Sequence, residues 1–95
     1  MRTLSLGKKA SEFLRELPHK QYKQVTSRTL DLLRDPAPHD RKPVKGTPGC
    51  WRIDVGEYRV AFRFDDQAVS IAMIDVRNDD RIYSRLERAT RGSGT

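Results

Sequence analysis

The chain has 95 residues, about a third of them charged, with 19 Lys and Arg against 13 Asp and Glu for a formal net charge of +6. That length holds one domain with one core, and the apolar residues fall in periodic runs, which excludes a disordered polyelectrolyte. The basic excess lies wholly in residues 1–50, with 11 basic and 5 acidic side chains, against eight of each in residues 51–95; it favours a polyanionic partner, either nucleic acid or an acidic protein.

Arg2-Thr3-Leu4-Ser5-Leu6 alternates and predicts a short first strand. Ala10, Phe13, Leu14 and Leu17 then recur at helical spacing. Pro18 ends that helix and can open the next one. In the second helix Tyr22, Val25, Thr29, Leu32 and Leu33 share one face, while Lys20, Lys23, Arg28 and Arg34 point outward. The minimal connection predicts an antiparallel helical hairpin, and its exposed basic residues read most simply as a solvated face. Asp35-Pro36-Ala37-Pro38-His39-Asp40 has loop composition. Lys42-Pro43-Val44-Lys45 leads into a turn, Gly46-Thr47-Pro48-Gly49.

The next segment carries the most information. Trp51 to Asp66 reads as two strands joined at Gly56-Glu57. Side chains alternate across a strand, so Trp51, Ile53 and Val55 share one face and Arg52 and Asp54 the other. In the following strand Tyr58, Val60, Phe62 and Phe64 oppose Arg59, Ala61 and Arg63. One face buries against a core; the other sets arginines on a rigid sheet, suited to holding phosphates. Trp51, in line with Ile53 and Val55, reads as core rather than as a platform for bases. After a turn at Asp65-Asp66-Gln67, Ala68 to Val76 is apolar on both sides and belongs near the sheet centre, with the helices over one face. Residues 77–81 are loop-like, 82–89 form a short last helix, and 91–95 read as a frayed tail. The expected class is α+β: a first strand, a helical hairpin, a three-stranded antiparallel meander and a C-terminal helix, in one domain over residues 1–90.

Several chemistries find no residues here. His19 and His39 lack metal-ligand spacing. Gly46-Thr47-Pro48-Gly49 lacks the lysine and following helix of a phosphate-cradling loop. The single cysteine, Cys50, rules out an intrachain disulfide and a multi-cysteine zinc site, and reads as a small half-buried residue before a strand. No serine or cysteine nucleophile has an evident base, so neither metal nor cofactor is expected. No apolar run nears the ~20 residues that span a bilayer. Leu4 and Leu6 run straight into Lys8 and Lys9, unlike a signal peptide. The expected location is the cytoplasm, without a membrane partner. What remains is the arginine-bearing face plus Arg77, Arg81 and Tyr83. By themselves, Arg59 and Arg63 read first as exposed strand residues paired with Asp54 or Asp65, and Tyr83 as a ring packed on the sheet edge.

The order of parts resembles a known family. A strand, a helical hairpin, Val44-Lys45-Gly46, Trp51-Arg52-Ile53, Gly56-Glu57-Tyr58-Arg59-Val60, an Asp-Asp turn, an apolar strand and Arg81-Ile82-Tyr83 look like the RelE/ParE superfamily of toxins from bacterial type II toxin–antitoxin modules, closer to its RelE-type members. The resemblance covers about residues 2–88. It implies a small sheet with the hairpin on one face and a basic concave surface on the other. It also implies a cognate antitoxin as partner, and the ribosomal A site and messenger RNA as targets. RelE-type members cut messenger RNA without a metal, by attack of the 2′-hydroxyl on the adjacent phosphate. That reaction needs a base, positive charge on the transition state, and an acid for the departing 5′-oxygen. By position, Arg59 matches the phosphate-stabilising arginine of the Gly-x-Tyr-Arg motif. Arg52 stands where relatives have a basic residue, and Tyr83 matches a tyrosine that stacks on or orients the nucleotide. Lys42, Lys45, Arg63, Arg77 and Arg81 are the expected RNA contacts. Two departures stand out. Asp54 replaces a lysine of the best-known members, and is either a base or a partner that orients the arginines. Asn78 and Asp79 replace a His-Arg pair, removing an imidazole acid. The superfamily therefore leaves two functions of different kinds open. One is a ribosome-dependent endoribonuclease. The other is a ParE-like inhibitor of DNA gyrase, or an attenuated homologue that chiefly binds its antitoxin.

Overall fold

The computed structural model describes residues 2–76. The elements run β1 (Thr3–Leu6), α1 (Lys8–Glu16), α2 (His19–Asp31), β2 (Lys42–Pro43), β3 (Trp51–Val55), β4 (Tyr58–Phe64) and β5 (Ala68–Val76). The strands form one mixed sheet in the order β1-β5-β4-β3-β2. β3, β4 and β5 make the expected antiparallel meander, and β1 lies parallel to β5. A parallel neighbour needs a long crossover, which the two helices and the meander supply. Residues 82–89, expected as a last helix, and 91–95 lie outside the described residues.

The helices follow from their sequence punctuation. Gly7 precedes α1 in extended conformation and its carbonyl accepts the Ser11 N–H. Leu17 and Pro18, both extended, break the chain between the helices, and the Pro18 carbonyl accepts the Tyr22 N–H to open α2. Ala10 and Leu14 of α1, Val25 of α2 and Leu32 just past its end are buried in one cluster with Ile53, Val55, Val60, Phe62, Val69, Ile71 and Ile74 of the sheet. The helices thus cover the face that alternation marks as apolar. Tyr22 departs from expectation: it is 41% exposed, although it shares the helical spacing of Val25 and Thr29. Trp51 packs on the edge of this cluster, and the Arg41 guanidinium lies 4.3 Å from its ring centroid. The indole is half-buried: it packs against the core cluster rather than inside it, and the guanidinium lies over its ring.

Two details of the meander set the opposite face. Val55 pairs with Tyr58 across the two-residue turn Gly56-Glu57. Gly56 has φ +59 and among the described residues none other than glycine has positive φ, so Glu57 keeps negative φ, the pattern of a type II′ hairpin turn. On β5 the register slips: Ala61 pairs with Met73 but Phe62 with Ile71, leaving Ala72 as the extra residue of a bulge. The bulge explains the strand's apolar run. Ile71 and Ile74 both reach the helix-covered core, while Ala72 and Met73 pack against a second cluster of Val44, Cys50 and Ala61. β2 has no forerunner in the sequence pattern; it is two residues at the sheet edge, pairing Lys42 with Arg52 and Pro43 with Trp51. Among the described residues no helix is long and apolar enough to cross a membrane.

Candidate phosphate-binding face

The face away from the helices is built from two cross-strand rows. Directly opposed residues of antiparallel neighbours project to the same side. Lys42, Arg52, Ala61 and Met73 therefore run across β2, β3, β4 and β5. Asp54, Arg59 and Asp75 run beside them across β3, β4 and β5. The first row rests on the small apolar cluster; the second is charged at every position.

Asp54 joins the rows. Its Oδ1 accepts from Arg59 Nε at 3.0 Å and lies 3.4 Å from the Arg52 terminal nitrogen. Both arginine side chains are 14% exposed and Asp54 is 30% exposed. One carboxylate oxygen thus sets two guanidiniums side by side on adjacent strands. Arg52 Nε is buried and has no hydrogen-bond acceptor among the described residues. A guanidinium fork matches phosphate geometry, and half-buried placement strengthens each contact relative to water. The expected pairing of Arg59 with Asp54 is present. Arg63 does not pair with Asp65: the Asp65 Oδ1 instead accepts the backbone N–H groups of Gln67 and Ala68, at 2.8 and 2.9 Å. Arg63 is exposed and lies near enough to Cys50 for its charge to act on the thiol.

Cys50 is buried, not half-buried as expected, and burial pushes its thiol above the ordinary value while Arg63 partly opposes the shift. A thiol so held stays protonated near neutral pH and is no nucleophile. Lys42 and Lys45 are exposed, at the sheet edge and in the loop closed by the Val44 N–H to Cys50 carbonyl bond. His19 opens α2 and His39 lies in the loop before β2, so neither of the chain's two histidines belongs to this face. Among the described residues no three His, Cys, Asp or Glu side chains converge as a metal-holding group. Arg77, Arg81 and Tyr83, together with Asn78 and Asp79, lie outside the described residues.

One member of the face goes unnoticed in the sequence pattern. Asp75 is only 3% exposed, and its Oδ1 accepts the Val76 N–H at 2.8 Å. The signal was there: it is the one charged residue in the nine-residue apolar strand β5. An acid in such a run is costly to bury without compensation and therefore marks a purpose.

Comparison with known proteins places this architecture. No curated protein sequence matches the chain. Among solved structures, an arginine-to-alanine double mutant of the E. coli toxin RelE in the free state superposes with a TM-score of 0.76 at 20% identity, covering 93% of this chain and 96% of that one. The toxin of the Mycobacterium tuberculosis toxin–antitoxin complex RelBE2 gives 0.69 at 29% identity, covering 80% and 98%. The archaeal RelE–RelB complex from Pyrococcus horikoshii gives 0.68 at 23% identity, covering 81% and 96%. The family model described as the ParE toxin of the type II toxin–antitoxin system parDE matches residues 4–83. That span runs from the first strand past the end of β5, and with the RelE-like architecture it makes the chain a member of the ParE toxin family, a toxin of the RelE/ParE superfamily from a type II toxin–antitoxin module.

Proposed function

We propose that this toxin blocks translation by binding messenger RNA in the ribosomal A site and cutting it. The observation that carries this reading is the pair Arg52 and Arg59, set side by side by the shared Oδ1 of Asp54 on the open face of the sheet. In the reaction, the 2′-oxygen of one nucleotide attacks the adjacent phosphorus and the bond to the departing 5′-oxygen breaks, leaving a 2′,3′-cyclic phosphate. The proton lost from the 2′-hydroxyl and the proton gained by the 5′-oxygen must both be handled. Arginine is a poor proton shuttle, because its pKa is above about 12. Arg59 and Arg52 therefore act by charge on the pentavalent transition state. Asp54 orients both, since its Oδ1 accepts from both guanidiniums. Lys42, Lys45 and Arg63 guide the RNA strand to them. Arg77, Arg81 and Tyr83 complete this assignment, with Tyr83 orienting the nucleotide.

The same reading gives the toxin a cognate antitoxin. The RelE-like toxins of M. tuberculosis and P. horikoshii are both seen in complex with antitoxins. A chain of charge +6 is suited to an acidic or amphipathic segment that folds as it covers the basic face. The cytoplasm, where ribosomes are, is the matching location.

A second reading is inhibition of DNA gyrase by binding alone. It is favoured by the ParE description of the matching family model and by the lack of any histidine on the sheet face. Toeprinting of programmed ribosomes with purified toxin separates the two. Codon-dependent cuts at the A site support cleavage. Intact messenger together with inhibited gyrase supercoiling would overturn it in favour of the second reading.

A further inference from the structure

We propose that Arg41 is a positioning residue for Lys42. Clasped to Trp51 on the helix side of the sheet, it holds the two-residue edge strand in register and so keeps Lys42 opposite Arg52 on the phosphate-binding face. This inference rests on the reading of Lys42 as an RNA contact. Strand pairing sets Lys42 across from Arg52 and Pro43 across from Trp51. Lys42 is exposed, in the row that faces away from the helices, whereas Trp51 packs on the core cluster of the other side. The Arg41 guanidinium lies 4.3 Å from the Trp51 ring centroid. One of its terminal nitrogens donates to the Ala37 carbonyl at 2.9 Å. Arg41 and Lys42, neighbours in the chain, thus lie on opposite sides of the sheet edge.

A two-residue strand pairs too briefly to hold itself in place, and Pro43 has no N–H to give to the ladder. The anchoring therefore falls to the flanks. On one side the Val44 N–H donates to the Cys50 carbonyl at 2.9 Å. On the other, Arg28 of α2 meets Asp40 at 2.7 Å, but Asp40 is exposed and such a pair contributes little. Arg41 is half-buried and makes two contacts at once. A planar guanidinium can stack on an indole face while donating within its own plane, which makes it the firmer anchor. Lys42 guides the strand and does not meet the reacting phosphate, so its placement governs how well RNA binds rather than how fast bound RNA is cut.

The test uses Arg41→Gln, which removes the clasp from a half-buried position outside the core. Binding of a short single-stranded RNA should weaken about threefold, and its log–log salt slope should become shallower by about 0.7, the share of one phosphate contact. Single-turnover cleavage at saturating toxin should keep the parent's rate. Lys42→Ala should show the same two changes in binding. The double variant Arg41→Gln/Lys42→Ala should bind no more weakly than Lys42→Ala alone, because both changes remove one contact. Losses that multiply would mean that Arg41 meets RNA itself and would overturn the positioning role, as would an unchanged affinity. A readout without RNA keeps this separate from the proposed function. In the free toxin, hydrogen exchange of the Val44 amide should accelerate at least about fivefold in Arg41→Gln, while the amides of β4 exchange as in the parent, the mark of local release in an intact fold. If the parent toxin neither binds nor cuts RNA, the endoribonuclease reading fails, and this measurement still decides whether Arg41 holds the edge strand. An unchanged Val44 exchange rate would refute the clasp.

Discussion

At the scale of single residues, the proposed chemistry turns on how Asp54 is used. Its Oδ1 serves Arg59 at 3.0 Å and Arg52 at 3.4 Å, which makes it an organiser of positive charge. Asp54→Asn keeps the shape of the side chain and weakens both contacts. If Asp54 only orients, cleavage should fall less than about tenfold and RNA affinity should hold or rise, because a negative charge beside the phosphate is gone. If it were the base, the loss would be about two decades or more, with the pH profile flattened. Single-turnover rates across pH distinguish these outcomes. In the proposed mechanism Arg59 is different, because there its charge meets the transition state. Arg59→Ala should cost about 2–4 kcal/mol of transition-state stabilisation, two to three decades in rate. Cleavage at the parental rate by a folded Arg59→Ala protein, checked by circular dichroism, would remove Arg59 from the mechanism.

At the scale of elements, the meander is what turns alternation into a site. The tight Gly56 turn fixes which residues of β3 and β4 oppose each other, and so places Asp54 against Arg59. The β4–β5 connection depends on a different device. Asp65 caps it by accepting the N–H groups of Gln67 and Ala68, and these bonds hold its carboxyl below the usual 3.8. A carboxylate whose folded value is depressed stabilises the fold at pH above its unfolded value, and that contribution is lost as pH falls through the folded value. Asp65→Ala should therefore lower the melting temperature near neutral pH. The gap between variant and parent should close as the pH is taken below 3.8. A gap that stays constant across that range, measured by thermal denaturation, would show that the cap contributes nothing through its charge.

At the scale of the whole molecule, the sheet separates two jobs. One side is sealed by the helices and carries the core. The other carries Lys42, Arg52, Arg59 and Arg63, with Lys45 in the adjoining loop, against Asp54 and Asp75. The excess is positive and spread along a surface, as the proposed binding of an RNA strand requires. Binding to a short single-stranded RNA should weaken with salt at a log–log slope of about −3, from some four to five neutralised phosphates at roughly −0.7 each. A slope shallower than about −1 would mean that few of these cations meet phosphate. The copurifying antitoxin should carry a net negative segment and abolish this binding at stoichiometric ratio. RNA binding that persists in the isolated complex would place the antitoxin on another surface.

The sequence by itself determined the parts whose physics is local. Alternation in Trp51–Val55 and Tyr58–Phe64 assigned each side chain to its face, because a strand repeats every two residues. Helical spacing found Ala10, Leu14, Val25 and Leu32, and Pro18 set the boundary between the helices. The order of these parts was enough to resemble the family to which the chain belongs. Only the tertiary structure decided what depends on register. Tyr22 keeps the spacing of a buried residue, yet it is exposed. The edge strand Lys42–Pro43 exists only because β3 offers it unpaired backbone groups. The Ala72 bulge let an apolar strand serve two clusters, which no periodicity encodes. Asp75 stood in plain view as an acid in an apolar run, but its place opposite Arg59 follows from strand pairing between residues far apart in sequence. Alternation tells a side chain which face to take; register tells it which neighbour it will meet there.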